Sequence, residues 1–354
     1  MEISPFKDIE NLCLKTARAT DLQEGSQGVE AILRAIHRLQ PTSSKEVAGE
    51  LGLPIPVVSA VRRELEKAGW LLRNKGMVLS DEAIRTLVPL WGDCRRDACD
   101  PSEADYADDF DEADRSFLAS LEDLLGGRPN ADPKWDQSHA TFDTTLRRAD
   151  LFLELGTIQG KRALFLGDDD LTALATLLML RHESGPKVLE SCRVVVAEVD
   201  SRLVDYIEKT AKEERLPLTV VQKDLREPLG KELSGAFDFF FTDPPYTPQG
   251  ADLFLDRGCE ALAEKGQRKG ALAIPLSPPS LQIATQKSIA SKGFVIDFLD
   301  PGFNEYEGAT MQGGVSALYG FTLTQSGKFK GGSHTGRLYT AQQKPHRTKK
   351  RKRN

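Results

Sequence analysis

The sequence predicts an α/β fold: a Rossmann-like (methyltransferase-type), doubly wound sheet that follows an N-terminal winged-helix domain. From about residue 145, short runs of Val, Ile, Leu and Phe alternate with amphipathic helical segments, which is typical of a parallel sheet covered on both faces. Acidic residues follow several of these runs, at the carboxyl edge where such sheets bind ligands. Before residue 90, helical segments precede a hairpin-like segment in the order of a winged helix-turn-helix.

The N-terminal domain is expected to span residues 1–90. Apolar residues recur at helical spacing over 28–39, and a short second helix over 45–52 ends in glycine. A longer third helix is predicted over 57–70, followed by a hairpin over 71–80. Its third helix mixes basic with acidic side chains, which disfavours reading of a DNA groove and favours a role as a dimerisation or lid domain.

The remaining chain divides into three predicted parts. An acidic linker and a helix occupy 91–130, a Rossmann-like catalytic domain occupies 131–326, and residues 327–354 form a disordered basic tail. The strands of the catalytic domain are predicted over 163–166, 192–199, 218–225, 237–242 and 270–277, with a further strand that ends near 299.

Composition and charge limit the class of protein. The 354 residues carry a formal net charge of −6 and contain no apolar run of about 20 residues, so we expect a cytoplasmic protein without a membrane span. The charge balance makes a nucleic-acid partner unlikely. Cys94 and Cys99 have no CxxC motif or histidine pair beside them, so no metal site is expected.

An acidic turn follows the first predicted strand: Gly167 precedes Asp168, Asp169 and Asp170. Nucleotide-binding folds usually have a glycine-rich turn here, and three carboxylates would repel a pyrophosphate. A cation such as a sulfonium nucleoside, a polyamine or a divalent metal is favoured instead. One aspartate is explained as a helix cap, but three in succession indicate function.

A second acidic loop, Asp243-Pro244-Pro245-Tyr246, follows the fourth strand. The prolines stiffen the loop and keep the Asp243 carboxylate directed into the site, and Tyr246 supplies an aromatic wall or a hydroxyl. Asp243 or one of the three aspartates after Gly167 is the predicted proton acceptor from an amine.

Other acidic residues at the ends of strands are predicted to contact a nucleoside or an amine. Glu198 is assigned to ribose hydroxyls and Asp224 to an adenine amino group. Asp200 lies beside Glu198 and fits either the nucleoside site or a helix cap. Glu305 returns to the ligand edge after the strand that ends near 299, as a further carboxylate for a polyamine.

These motifs together resemble the branched-chain polyamine synthases, the N4-bis(aminopropyl)spermidine synthases. The resemblance covers roughly residues 20–320 and rests on FLGDDDLT, DLREPL, TDPP, FNEY and the acidic end of the second strand. It implies that decarboxylated S-adenosylmethionine is a co-substrate that donates an aminopropyl group to N4 of spermidine, with no prosthetic group. It also implies that the three aspartates of GDDD hold and deprotonate the amine, with Asp243 at the attacking nitrogen. Separately, we expect a homodimer.

Two alternatives stay open. An S-adenosylmethionine-dependent amino-methyltransferase acting on nucleic acid would share the DPPY loop and could dock through a winged helix, but a GDDD turn contradicts its usual glycine-rich turn. A regulator that senses polyamines without converting them would also use the winged helix. The sequence does not distinguish which aspartate is the base, or whether one or two aminopropyl groups are transferred.

Overall fold

A computed structural model describes residues 5–73, 76–91, 112–307, 314–324, 327–336 and 338. Its N-terminal domain contains the helices α1 (Pro5–Thr20), α2 (Gly25–Leu39), α3 (Ser44–Leu51), α4 (Ile55–Lys67) and α5 (Asp81–Trp91). Their apolar faces meet in one buried cluster. The expectations for Cys94, Cys99 and the basic residues 346–354 lie outside the described residues.

Helices α2, α3 and α4 lie where the sequence predicts them. Ser43 begins α3 with a capping box, because its hydroxyl accepts the Glu46 N–H and the Glu46 carboxylate accepts the Ser43 N–H. In the segment predicted as a hairpin, Leu71 and Leu79 form one antiparallel bridge. The winged-helix assignment of this domain stays a prediction, and α1 and α5 were not predicted.

The catalytic domain is built on one seven-stranded sheet with the order β3-β2-β1-β4-β5-β7-β6. The strands are β1 (Arg162–Leu166), β2 (Arg193–Glu198), β3 (Leu218–Gln222), β4 (Phe239–Thr242), β5 (Lys269–Ile274), β6 (Phe294–Glu305) and β7 (Val315–Leu323). The helices are α6 (Glu112–Gly126), α7 (Phe142–Glu154), α8 (Thr172–Ser184), α9 (Ser201–Glu213), α10 (Pro248–Ala261) and α11 (Pro279–Ser291). This confirms the predicted doubly wound α/β class.

The expectation of a parallel sheet is right for β1 to β5 and wrong for the end of the sheet that contains β7 and β6. There β7 pairs antiparallel with both β5 and β6. Because β6 and β7 are consecutive in the chain, they pair directly and need no crossover helix. Strand β6 therefore runs parallel to β5, and its carboxyl end reaches the same edge as the ends of β1, β2 and β4.

Helices cover both faces of the sheet. Helices α6 to α9 cover one face, where Phe165, Phe239 and Phe241 point. Helices α10 and α11 cover the other, where Phe240 points. Alternation along β4 thus supplies both cores. Since Leu121 and Leu125 of α6 are buried in the first core, we propose that the catalytic domain begins at α6 rather than at residue 131.

The N-terminal domain packs on the amino edge of the sheet, away from the strand ends that carry the acidic motifs. Lys161, directly before β1, forms an ion pair of 2.7 Å with Glu30 of α2. Gln27 of the same helix donates a hydrogen bond to the carbonyl oxygen of Gly266, shortly before β5. No described helix is long and apolar enough to cross a membrane.

The disorder predicted from residue 327 onward is corrected for the part of the tail that the structure describes. The N–H of Lys330 donates to Asp256 and that of His334 donates to the carbonyl oxygen of Arg226. Leu338 is buried in the core beside α10. A polar composition hid this segment because its order comes from contacts with the folded domain, which composition does not report.

Candidate active site

A cleft opens at the carboxyl edge of the sheet, and its residues define the candidate active site. It spans about 810 Å³ of space, open solvent at its mouth included. The loops after β1, β2, β3 and β4 line it together with a segment before α7, as the rule for such sheets predicts. Predicted site residues that line it are Gly167, Asp169, Glu198, Asp243, Pro244, Pro245 and Tyr246.

The turn after β1 depends on Gly167. This residue has a φ of +73°, a left-handed conformation that glycine adopts without strain. Its N–H donates to the carbonyl oxygen of Ala197 at the end of β2, at 2.9 Å. The turn therefore ties the ends of β1 and β2 together and brings backbone to the wall of the cleft.

Asp168 serves the start of helix α8. Its two carboxylate oxygens accept the N–H groups of Thr172 and Ala173 at 2.8 and 3.0 Å, and the residue is buried outside the lining of the cleft. This is the helix-capping role that the sequence allowed for one of the three aspartates. Burial raises the pKa of Asp168 to about 7 despite these two hydrogen bonds.

Asp170 is also turned away from the cleft. Its carboxylate accepts the N–H of Ala140 and a hydrogen bond of 2.6 Å from Nη1 of Arg148. With both oxygens occupied and its side chain buried, Asp170 is placed to hold Arg148 and the segment before α7. The structure does not bring it against a ligand in the cleft.

Asp169 is the aspartate of the turn that faces the cleft. Its carboxylate accepts no hydrogen bond and forms no ion pair with any residue that the structure describes. Burial raises the pKa of Asp169 well above its usual value, and the charges of Asp170, Asp243 and Glu198 add to this effect. An unpartnered carboxylate with a raised pKa is suited to accept a proton or to hold an ammonium group.

Asp243 lies on the floor of the cleft. Its Oδ2 accepts hydrogen bonds from Nη2 of Arg148 at 2.7 Å and from the Tyr306 hydroxyl at 2.6 Å. Burial raises the pKa of Asp243 to about 6, although the Arg148 guanidinium acts in the opposite direction. The Tyr246 ring stands beside Tyr306, with 6.1 Å between the ring centroids, and lines the cleft.

Glu198 closes the cleft at the end of β2. Its Oε1 accepts the N–H groups of Val199 and Asp200, each at 2.8 Å, and its Oε2 accepts the Asp168 N–H at 3.1 Å. Burial raises the pKa of Glu198. The backbone thus fixes this carboxylate at the position predicted for contact with ribose.

Besides Asp168 and Asp170, three further predicted residues do not line the cleft. Asp200 caps α9 through the Arg202 N–H and pairs with the Arg202 guanidinium. Asp224 pairs with the Arg226 guanidinium, while its neighbours Lys223 and Leu225 reach the cleft. Glu305 is exposed, because its side chain points away from the face of β6 that carries Asn304. A one-residue offset along a strand reverses the face.

The segment before α7 forms the outer wall of the cleft. Trp135, Asp136, Gln137 and Ser138 all line it. The Asp132 carboxylate begins a short 3-10 helix, Pro133–Trp135, by accepting the Lys134 N–H. The ammonium of Lys134 lies 4.4 Å from the centre of the Trp135 ring.

Sequence reasoning gave no role to the residues that hold the floor, Arg148, Asn304 and Tyr306, although the last two belong to the FNEY motif. Arg148 is fully buried on α7 and contacts side chains from three other segments of the domain. One signal was present, since Arg148 is at the helical spacing of the buried residues Thr144 and Phe152. An arginine on the buried face of a helix needs anionic partners, which here are the two acidic loops.

The chain is similar to known proteins in sequence. The chain matches the family of the branched-chain polyamine synthase A C-terminal domain over residues 117–329. An uncharacterised protein of Methanocaldococcus jannaschii is 35% identical over 317 residues, which cover 87% of this chain and 77% of that protein. The N(4)-bis(aminopropyl)spermidine synthase of Thermus thermophilus is 34% identical over 295 residues, which cover 82% of this chain and 80% of that enzyme.

A solved structure is also similar. It is the branched-chain polyamine synthase of Thermus thermophilus in complex with N4-aminopropylspermidine and 5'-methylthioadenosine, with a TM-score of 0.56 and 27% identity. The alignment covers 94% of this chain and 97% of that enzyme. The resemblance read from the acidic motifs is confirmed, and the chain belongs to the branched-chain polyamine synthase family.

Proposed function

We propose that this chain is an aminopropyltransferase that moves the aminopropyl group of decarboxylated S-adenosylmethionine to the secondary amine N4 of spermidine. The product is a branched polyamine. Its family and the named activity of its relatives support this proposal. The observation that carries it is the Asp169 carboxylate, which faces the cleft without a partner in the described structure; Asp243 and Tyr246 line the same cleft.

The reaction needs positioning and the removal of one proton. The amine N4 is cationic at neutral pH and loses its proton to a carboxylate. Its electron pair then attacks the propyl carbon next to the sulfonium, a C–N bond forms, the C–S bond breaks, and 5'-methylthioadenosine leaves neutral. Loss of a further proton would free the same nitrogen for a second transfer.

We assign the roles in the cleft as follows. Asp169 takes the proton, which narrows the assignment that the family resemblance gave to the three aspartates together. The Asp243 carboxylate holds the ammonium group of the polyamine, and the Tyr246 ring borders the polyamine chain. Glu198 accepts hydrogen bonds from the ribose. The turn at Gly167 allows the donor to approach the backbone closely.

The same proposal leaves other predicted residues outside direct contact with substrate. Asp168 and Asp170 support the turn through their hydrogen bonds. Asp200, Asp224 and Glu305 do not line the cleft. We propose that the backbone beside Asp224, at Lys223 and Leu225, borders the adenine instead of the Asp224 carboxylate.

Neither alternative function is favoured by an observation. A methyltransferase that docks nucleic acid through the N-terminal domain would need this domain near the cleft, but it packs at the opposite edge of the sheet. Because the N-terminal domain lies far from the cleft, it is also unsuited to act as a lid. A homodimer and a cytoplasmic location remain proposals. The exposed Val295, Ile296 and Leu299 of edge strand β6 are compatible with a partner chain there.

Mass spectrometry of the products tests the proposal. Purified protein is incubated with spermidine and either decarboxylated S-adenosylmethionine or S-adenosylmethionine. We expect the mass of one or two aminopropyl groups with the first donor and no methyl group with the second. Asp169→Asn should lower kcat by about 10²- to 10⁴-fold, the usual contribution of a general base.

Two results would reject this proposal. Absence of any mass gain on spermidine and on longer polyamines would reject aminopropyl transfer by this chain. Transfer at the wild-type rate by the Asp169→Asn variant would reject Asp169 as the base while leaving the reaction itself intact. The exposed Asp143 on α7 offers a matched Asp→Asn control that should keep full activity.

A further inference from the structure

A buried cation lies beneath a site proposed to bind cations, and the proposed function does not use it. Arg148 is 0% exposed. Its Nε donates to Oδ1 of Asn304 at 2.7 Å, its Nη1 to Asp170 at 2.6 Å, and its Nη2 to Asp243 at 2.7 Å. Nη2 also lies 3.0 Å from the Tyr306 hydroxyl. Every nitrogen of the guanidinium therefore has a partner from a different part of the domain.

The two carboxylate oxygens of Asp243 have different contacts. Arg148 and Tyr306 both donate to the same atom, Oδ2. Oδ1 accepts no hydrogen bond from the residues that the structure describes, although Asp243 lines the cleft. Two donors on one oxygen fix the rotation of the carboxylate, so that the other oxygen is available to a ligand.

We infer that Arg148 is a positioning residue: it anchors Oδ2 of Asp243 so that Oδ1 is presented to the acceptor amine. This inference rests on the proposed aminopropyl transfer, because it takes the ligand of Oδ1 to be the ammonium group of a polyamine. Arg148 itself touches no substrate, since it does not line the cleft. Its planar fork can hold Asp170 and Asp243 at once, which the point charge of lysine cannot do.

Arg148 also affects the charge of the Asp243 carboxylate. The ionisable groups that face Asp243 are Arg148 from α7, Asp169 and Asp170 from the turn after β1, Tyr246 from its own loop, and Tyr306 after β6. Of these, Arg148 is the cation. Without it, two further carboxylates beside a buried Asp243 would favour the protonated form. Arg148 thus keeps Asp243 anionic for a cationic substrate.

Changes at Arg148 should alter the pH dependence of the reaction. Both Asp243, with a pKa of about 6, and Asp169, whose pKa is raised well above its usual value, must be ionised, so both carboxylates shape the acid limb of kcat/KM for the polyamine in the wild type. Arg148→Gln removes the cation, so the limb should move to higher pH by about one unit or more. Arg148→Lys keeps the charge and should leave the limb near its wild-type position while lowering kcat about tenfold or more, because the carboxylate is no longer oriented.

The test compares these variants with two others. Tyr306→Phe keeps Arg148 in place but removes one donor to Oδ2, and should raise the KM for polyamine about fivefold while the KM for the nucleoside donor stays the same. Arg147→Gln is the matched control, because Arg147 neighbours Arg148 on α7 but is exposed. It should retain the wild-type pH profile and both KM values.

A purely structural role for Arg148 would give different results. The variants would then lose thermal stability, but the acid limb and the KM for polyamine would match the wild type, and the inference would be wrong. If Arg148→Gln does not fold, Arg148→Lys and Tyr306→Phe decide, since unchanged kcat and KM in both would overturn it.

A measurement without substrate separates this inference from the proposed function. The carboxyl ¹³C resonance of Asp243, assigned with an Asp243→Asn variant, is titrated in the free protein. Arg148→Gln should raise the pKa of Asp243 whether or not the wild type transfers aminopropyl groups. An unchanged pKa would reject the electrostatic part of the inference even in an active enzyme.

Discussion

Three consecutive aspartates follow β1, and each carboxyl group has a different environment. Asp168 accepts two backbone N–H groups at the start of α8, Asp170 accepts the Arg148 guanidinium, and Asp169 faces the cleft. The three side chains leave the turn in different directions. Asp168 therefore caps a helix, Asp170 bridges to Arg148, and Asp169 presents its carboxylate to the cleft. Substitutions at these positions should therefore have different effects.

Asp168→Asn should change stability more than catalysis. Because the folded-state pKa is raised to about 7 from the usual 3.8, the carboxyl group favours folding while it is protonated. That contribution is fully present below about pH 3.8 and is lost as the pH rises through about 7. Asparagine does not ionise, so the free energy of unfolding of the wild type should fall relative to that of Asp168→Asn between pH 4 and 7.

Urea denaturation across this pH range measures the difference. Parallel stability curves for wild type and Asp168→Asn would show that Asp168 does not titrate as expected. The rate of transfer should fall by less than about tenfold in Asp168→Asn, because asparagine keeps one acceptor oxygen for the helix N–H groups. A loss as large as that of Asp169→Asn would contradict the division of roles proposed for these two residues.

Sequence reasoning located the acidic turns but did not resolve their members. Motif and position after a strand indicated that Gly167, Glu198 and Asp243 lie together, since carboxyl ends of parallel strands share an edge. Arg148 comes from a helix that precedes β1, and the sequence does not show which loop it contacts. Asp200 and Asp224 each pair with an arginine two positions later, a local preference that the strand rule ignores.

At the scale of elements, continuous apolar runs predicted β1, β2, β4 and β5 well because these strands are buried on both faces. The pattern was less informative for β6, which lies at the edge and is mostly exposed. Strand β7 was missed, although it is apolar and lies inside the sheet between β5 and β6. Its antiparallel pairing with both neighbours depends on tertiary contacts that periodicity does not report.

Helix α10 must approach β4 closely, and this requires a residue without a side chain. A Cβ atom added to Gly258 would overlap the ring of Phe240, which is fully buried. Gly258→Ala should lower the free energy of unfolding by about 1–3 kcal/mol through overpacking. Gly126→Ala, at the end of α6 with nothing within 4 Å, should not destabilise the protein.

Chemical denaturation of the two glycine variants provides this comparison. Equal stability of Gly258→Ala and the wild type would mean that α10 can shift away from β4 at little cost. A shift of α10 should also change the KM for polyamine, because this helix follows the Asp243 loop. If Arg148 and Tyr306 instead hold the loop in place, Gly258→Ala should be less stable than the wild type but keep the same KM for polyamine.

In the whole molecule, the two domains meet at the edge of the sheet opposite the cleft. Glu30 of α2 accepts hydrogen bonds from Arg34 and from Lys161 of the catalytic domain, and Arg34 also lies over the ring of Trp91, 4.3 Å from its centre. The acidic and basic side chains at this junction are mostly buried. The N-terminal domain is thus positioned to affect stability and assembly rather than the reacting atoms.

Glu30→Gln tests this separation of roles. Loss of the charge leaves Lys161 without its anionic partner, at a cost of about 2 kcal/mol in the free energy of unfolding. Glu64→Gln is the matched control: Glu64 pairs at 2.6 Å with Lys67, which is 67% exposed, so its loss should cost less than about 1 kcal/mol. Both variants should retain the wild-type kcat and both KM values, because the junction lies on the far side of the sheet from Asp169 and Asp243. A change in the KM for polyamine in Glu30→Gln alone would instead show that the N-terminal domain is coupled to the cleft through the sheet.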